Sequence, residues 1–212
     1  MTHSLHRLGA EDSLKGDYVF LCTPAKGIND KGSTLKLIRI LEILLEVGPT
    51  NIGFYGHGSL MDDISIEAIK KSIHDTSRLR CCFDNGERLE EVLRIIKNED
   101  LSLSITVSGL LSELKDICEE LDLEPHTINI SCGIFGRIDR LPRRKTLEIS
   151  TMCGHGMIGH GLVEIIIQRL QEGNLDIDEA IYRLGKPCTC GIFNPSRAYN
   201  IIKDIIKDDT AK

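Results

Sequence analysis

The 212-residue sequence predicts an α/β fold: a doubly wound, mostly parallel sheet of about five strands, with a C-terminal, mainly helical lobe rich in cysteine. Three observations carry this. Short apolar runs alternate with helix-length amphipathic stretches from residue 17 to about 135, the pattern of strands joined by crossover helices. Crossover-length helices joining these strands cover both faces of a mostly parallel sheet. Beyond residue 145 helical periodicity dominates, so the chain divides into an α/β unit over 1–145, ending in a basic linker, and a helical lobe over 146–212.

Taken in order, "DYVFLC" (Asp17 to Cys22) reads as a buried strand. A glycine-bearing loop leads to Ser33 as N-cap of the helix "TLKLIRILEILLEV", stopped by Gly48-Pro49. "TNIGFYGHG" is the second strand with its exit, and "DDISIEAIKKSIHD" the next helix. "RLRCCFDNG" is the third strand and turn, followed by "ERLEEVLRIIKN", whose Leu89, Val92, Leu93 and Ile96 form one apolar stripe. "LSLSITVSG" is the fourth strand, "LLSELKDICEEL" a helix, and "HTINISCG" (His126 to Gly133) the fifth strand. "TLEIS" has the composition of a short strand. Helices then run over about Met157 to Leu170, Asp178 to Leu184 and Pro195 to Ile206, the last with Asn194 at N-cap and Pro195 at N1.

Composition narrows the function. A net charge of −6 argues against nucleic acid as a partner for the surface as a whole. No apolar stretch approaches the roughly 20 residues of a membrane span. The first residues lack the apolar core of a secretory signal and the basic, acid-poor character of a transit peptide, so a cytoplasmic protein is expected. Eight cysteines in such a chain point to metal ligation or thiol chemistry rather than to a disulfide framework.

In open parallel sheets the ligand crevice lies beyond the carboxyl ends of the strands. On the elements above, that rule gathers Cys22, His57 and Cys132 at strand exits. The last third adds "TMCGHGMIGHG" and "KPCTCGIFNP". Cys132, Cys153 and Cys190 are each followed by glycine, which lets main-chain N–H groups approach sulfur, and the two later pairs precede predicted helices whose dipoles favour a thiolate.

Cys132, Cys153, Cys188 and Cys190 then supply the four thiolates of an iron–sulfur cluster, expected as [4Fe–4S], with Cys22, His57, His155 and His160 lining the crevice. With three ligands engaged, one iron is open to a substrate or to His155, and the cluster serves redox or Lewis-acid chemistry. Zinc held by Cys153, His155 and the C-x-C pair is the second metal reading. A metal-free enzyme using Cys153 as base or nucleophile beside His155 is the third. A carrier that passes its metal to an acceptor is the fourth.

Arg137, Arg140, Arg143, Arg144 and Lys145 form a basic run suited to docking a redox or acceptor protein, or to holding an anionic small-molecule substrate. Cys118, Cys81 and Cys82 read as packing residues.

"MCGHGMIG", Met152 to Gly159, resembles the M-C-G-H-G-x-I-G motif of the proline racemase family, in which two cysteines move protons. The resemblance implies Cys153 as one acid/base, with Cys188 or Cys190 of "PCTCG" as its counterpart. It spans about eight residues, and the chain is short for that family's two pseudo-symmetric lobes.

Overall fold

The computed structural model describes residues 7–54 and 57–210, with side chains described through 207. Five strands form one sheet in the order β3-β2-β4-β1-β5: β1 is Tyr18–Thr23, β2 Asn51–Phe54, β3 Gly58–Ser59, β4 Leu79–Phe83 and β5 Ser104–Ser108. Every pairing is antiparallel, which overturns the expected parallel sheet. The cause is a split crossover. Helix α2 (Ser33–Val47) returns the chain so that β2 runs parallel to β1, but β4 inserts between them. Helix α4 (Gly86–Glu99) likewise makes β5 parallel to β4, with β1 inserted between. Two interleaved β-α-β units thus give antiparallel neighbours throughout, the split β-α-β arrangement.

Four of the five expected strands are present at or near their predicted places. The fifth, His126 to Gly133, is not a strand: residues 124–141 are irregular apart from a 3₁₀ turn at Ile138–Arg140, and all are exposed. "TLEIS" is helical, within α6 (Arg144–Ser150). Around these lie α1 (Glu11–Leu14), α3 (Ile66–Ser72), α5 (Leu111–Glu120), α7 (His160–Gln171), α8 (Ile177–Gly185) and α9 (Pro195–Thr210). Ser33 is the first residue of α2, one position after its cap Gly32, and Gly48 closes the helix in the left-handed region at φ 83°.

The sheet separates two cores. Alternation along the strands sends Phe20, Cys22, Ile52, Leu79, Cys81 and Phe83 into a first core with Leu37, Leu41 and Leu44 of α2 and Leu89 and Val92 of α4. Val19 belongs to a second core with Ile149, Met152, Ile158, Val163, Leu184, Phe193 and Ile202, so the C-terminal helices cover the opposite face. Cys81 and Cys82 do face opposite ways. Cys81 packs in the first core, while the Cys82 thiol donates to the Phe193 carbonyl at 3.3 Å.

A buried polar cluster fastens the lobe to the sheet. The Asp17 carboxylate accepts from Arg197 at 2.5 Å, from Arg7 at 2.5 and 2.7 Å, and from the Asn194 amide at 3.1 Å. Asn194 also donates to the carbonyls of Gly16 and Phe83, and its side-chain oxygen accepts from the Arg197 backbone N–H at 3.0 Å, the N-cap expected of it. The lobe is therefore anchored by charge-assisted bonds as well as by apolar burial.

Candidate functional site

Two loops of the second core carry the reactive groups: residues 151–159 between α6 and α7, and residues 186–194 between α8 and α9. They meet at three thiols. Cys153, Cys188 and Cys190 are 2%, 0% and 1% exposed, so the sulfurs are withdrawn from bulk water. The Sγ atoms of Cys188 and Cys190 stand 3.8 Å apart, and Cys190 Sγ lies 3.6 Å from His155 Nδ1. Cys153 contacts Cys188 in turn and completes a chain of four polarisable groups.

Local backbone makes this arrangement. The Cys188 N–H bonds to the Gly185 carbonyl, and the Gly191 N–H to the Cys188 carbonyl at 3.2 Å, folding the C-x-C pair into a turn. Gly191 sits at φ 78° directly against Gly53 of β2. A Cβ on Gly191 would stand 2.0 Å from the Gly53 nitrogen, and one on Gly53 would stand 2.6 Å from the Gly191 nitrogen. Two glycines thus let the thiol loop touch the strand backbone, a contact no other pair of residues permits.

The three thiols differ electrostatically. Cys153 is lowered to about 6, chiefly because the Cys188 thiol donates to it; burial opposes this, and the N–H groups of Met157 and His155 add to it. Cys190 is also lowered to about 6, again first by Cys188 and, against burial, by the Ile192 N–H. Cys188, between two sulfurs that take its proton density, is raised well above the ordinary thiol range. The expected helix dipoles are not the cause. α7 begins at His160 and α9 at Pro195, so Cys153 and Cys190 lie seven and five residues before them, and the Cys188 thiol, helped by neighbouring N–H groups, does the work instead.

The remaining predicted residues are elsewhere. Cys22 is in the first core, across the sheet from the three thiols, and burial pushes it up to about 12. His57 is exposed and packs its ring on Phe54 at 5.0 Å between centroids; Tyr55 and Gly56, of the same predicted exit, lie outside the described residues. His160 is exposed at the start of α7, and Cys132 is exposed in the irregular segment. The strand-exit rule fails for Cys22 because it was applied to a parallel sheet, whereas neighbouring strands here run in opposite directions.

Among the described residues, no three His, Cys, Asp or Glu side chains already stand as a cage for a metal ion. Two surface clefts, of about 440 and 450 Å³, are lined by other residues, including Tyr182 and Tyr199 in one and Lys145 and Arg197 in the other. Neither cleft is lined by Cys153, His155, Cys188 or Cys190. No helix among the described residues is long and apolar enough to cross a membrane. Sequence reasoning missed Arg7, Asp17 and Gly53, none of which belongs to a motif; they matter only through partners more than a hundred residues away, except for the Arg7–Asp17 pair itself.

Comparison with protein-family models, with curated proteins and with solved structures finds no match to this chain.

Proposed function

We propose that this is a metal-binding protein whose ligands are Cys188, Cys190 and Cys153, with His155 as the fourth. The observation that carries the reading is a pair of spacings. Two sulfurs bound at about 2.3 Å to one tetrahedral ion stand roughly 3.8 Å apart, and a sulfur and an imidazole nitrogen sharing that ion stand about 3.6 Å apart. The Cys188–Cys190 and Cys190–His155 distances are 3.8 and 3.6 Å. Cys153 is adjacent, and His155 sits on a turn between Gly154 and Gly156. Three soft thiolates and an imidazole suit zinc or iron better than a hard cation.

A single ion fits these spacings better than a [4Fe–4S] cluster, because cysteines bound to separate irons hold their sulfurs farther apart than cysteines sharing one. The cluster expected from the sequence also needs Cys132, which is exposed on the irregular segment. Anaerobic purification followed by zinc, iron and acid-labile sulfide assays decides between them. The expected result is about one zinc or iron per chain without sulfide. Iron with matching sulfide restores the cluster, and no metal after reconstitution overturns both. Cys188→Ser abolishes binding while Cys132→Ser leaves it unchanged; equal loss from both variants refutes this ligand set.

A second reading is favoured by one observation: Cys188 keeps its proton between two thiols disposed to lose theirs. A proton donor and two bases in one place is the equipment of a metal-free thiol enzyme. It predicts that Cys153 and Cys190, though buried, are alkylated in metal-free protein at a pH below the ordinary thiol range, and failure of both to react there counts against it. A carrier role keeps the same ligands and adds lability, read as transfer of the metal to an apo-acceptor.

A further inference from the structure

The segment from Glu124 to Leu141 has no place in either core, yet it is not composed like a solvated linker. All of its residues are exposed, including Ile128 at 51%, Ile130 at 68% and Phe135 at 80%. Large apolar side chains in water at this density mark a surface that something covers. From Thr127 to Cys132 the sequence T-I-N-I-S-C alternates polar and apolar, so Ile128, Ile130 and Cys132 fall on one face of an extended chain and Thr127, Asn129 and Ser131 on the other. That is the pattern of a half-buried strand. Among the described residues, no backbone N–H between Leu123 and Ile138 donates to another backbone carbonyl.

The flanks identify the partner. Asp116, Glu119, Glu120, Asp122 and Glu124 form an acidic run with no base among them. Arg137, Arg140, Arg143, Arg144 and Lys145 form a basic run containing one acid, Asp139. The acidic run ends six residues before Ile130 and the basic run begins seven residues after it. Two copies of the segment laid antiparallel about a twofold at Ile130 put Ile130 opposite Ile130 and Ile128 opposite Cys132, and turn each copy's acidic flank, at the end of α5, toward the other copy's basic flank, leading into α6.

We infer that residues 126–132 pair with the same segment of a second copy of this chain, forming a two-stranded antiparallel interface framed by the complementary acidic and basic runs. Pairing supplies the backbone partners, covers the isoleucines and matches opposite charges in one operation. The parallel alternative sets acid against acid and base against base, which is repulsive at both ends.

Sedimentation equilibrium of the full chain under reductant, at low and high salt, tests this. A dimer weakened by salt is expected, and Ile130→Lys, which opposes two ammonium groups at the twofold, raises the dissociation constant at least roughly tenfold. Reversing Glu119 and Glu120 to Lys weakens the dimer, as does reversing Arg140 and Arg143 to Glu, and combining both reversals in one chain restores it. Because all five substituted side chains are exposed, circular dichroism of each variant stays that of the parent. A monomer at all concentrations overturns the proposal. So does a dimer indifferent to Ile130→Lys, or one that the combined reversal does not rescue.

Discussion

Gly191 and Asp17 show how single residues hold the site in place. Gly191→Ala adds a methyl group where the Gly53 nitrogen already stands, and it does so at a left-handed φ. Overpacking costs about 1–3 kcal/mol and the backbone strain roughly 1–2 more, so the variant loses several degrees in thermal midpoint. It also loses metal affinity, because the displaced loop carries Cys188 and Cys190. Asp17→Ala leaves the buried guanidinium of Arg197 without its carboxylate, a change expected to cost about 3–5 kcal/mol by denaturant unfolding. The thiols predict a pH dependence for metal-free protein. Cys153 and Cys190 titrate lower folded than unfolded, so their contribution is complete above the ordinary thiol pKa and is lost as pH falls through about 6. Cys188, Cys81 and Cys22 are raised and act oppositely, losing their contribution as pH rises beyond the ordinary thiol range. Calorimetry should therefore give a thermal midpoint that rises from pH 6 to about 8.5 and then falls. A flat profile refutes the split between the three thiols.

Among the elements, the start of α9 is the most informative. Asn194 both caps the helix and joins it to β1 and β4 through Gly16, Asp17 and Phe83. Asn194→Ala removes a cap and several buried bonds, an expected loss of about 2–3 kcal/mol, measurable by urea titration. That cap was legible in the sequence because Asn-Pro ahead of an apolar stripe is a local signal. The same holds for β1, β2, β4 and β5, for α2 and α4, and for the opposite facing of Cys81 and Cys82, all of which follow from periodicity. The α6 segment was misread because T-L-E-I-S is too short for its period to tell strand from helix. Isoleucine and threonine favour strands, but burial of Thr146, Glu148 and Ile149 against the second core decides for helix. The 126–133 stretch was misread in the other direction: its alternation is that of a strand, yet among the described residues it pairs with no strand of its own chain.

The arrangement of strands across the whole molecule was not legible at all. Alternating strands and helices fix that β1 and β2 run in the same direction, but not whether they touch. β4 sits between them here, a long-range choice that leaves the local pattern unchanged. The candidate site was legible in part: "CGHG" and "CTCG" named Cys153, His155, Cys188 and Cys190, whereas Cys22 and Cys132 were drawn in by a crevice belonging to a parallel sheet. Because the lobe covers the face of the sheet that carries Val19 and Cys82, a chain ending at residue 143 exposes Val19, Cys82 and the charged Asp17 cluster together. Such a chain is expected not to fold on its own, shown by loss of amide dispersion in its NMR spectrum; a dispersed spectrum overturns the view of one cooperative unit.

The contact between Gly53 and Gly191 has a thermodynamic consequence. It ties the C-x-C turn to a strand of the central sheet, so an ion held by that turn is bound by the folded sheet and not by the loop alone. Its binding energy is then shared by the whole molecule as stability: at a free metal concentration a thousandfold above the dissociation constant, about 4 kcal/mol. Chelation should accordingly lower the unfolding midpoint of β1 and β4 as much as that of α9, and hydrogen exchange should quicken on both sides of the sheet together.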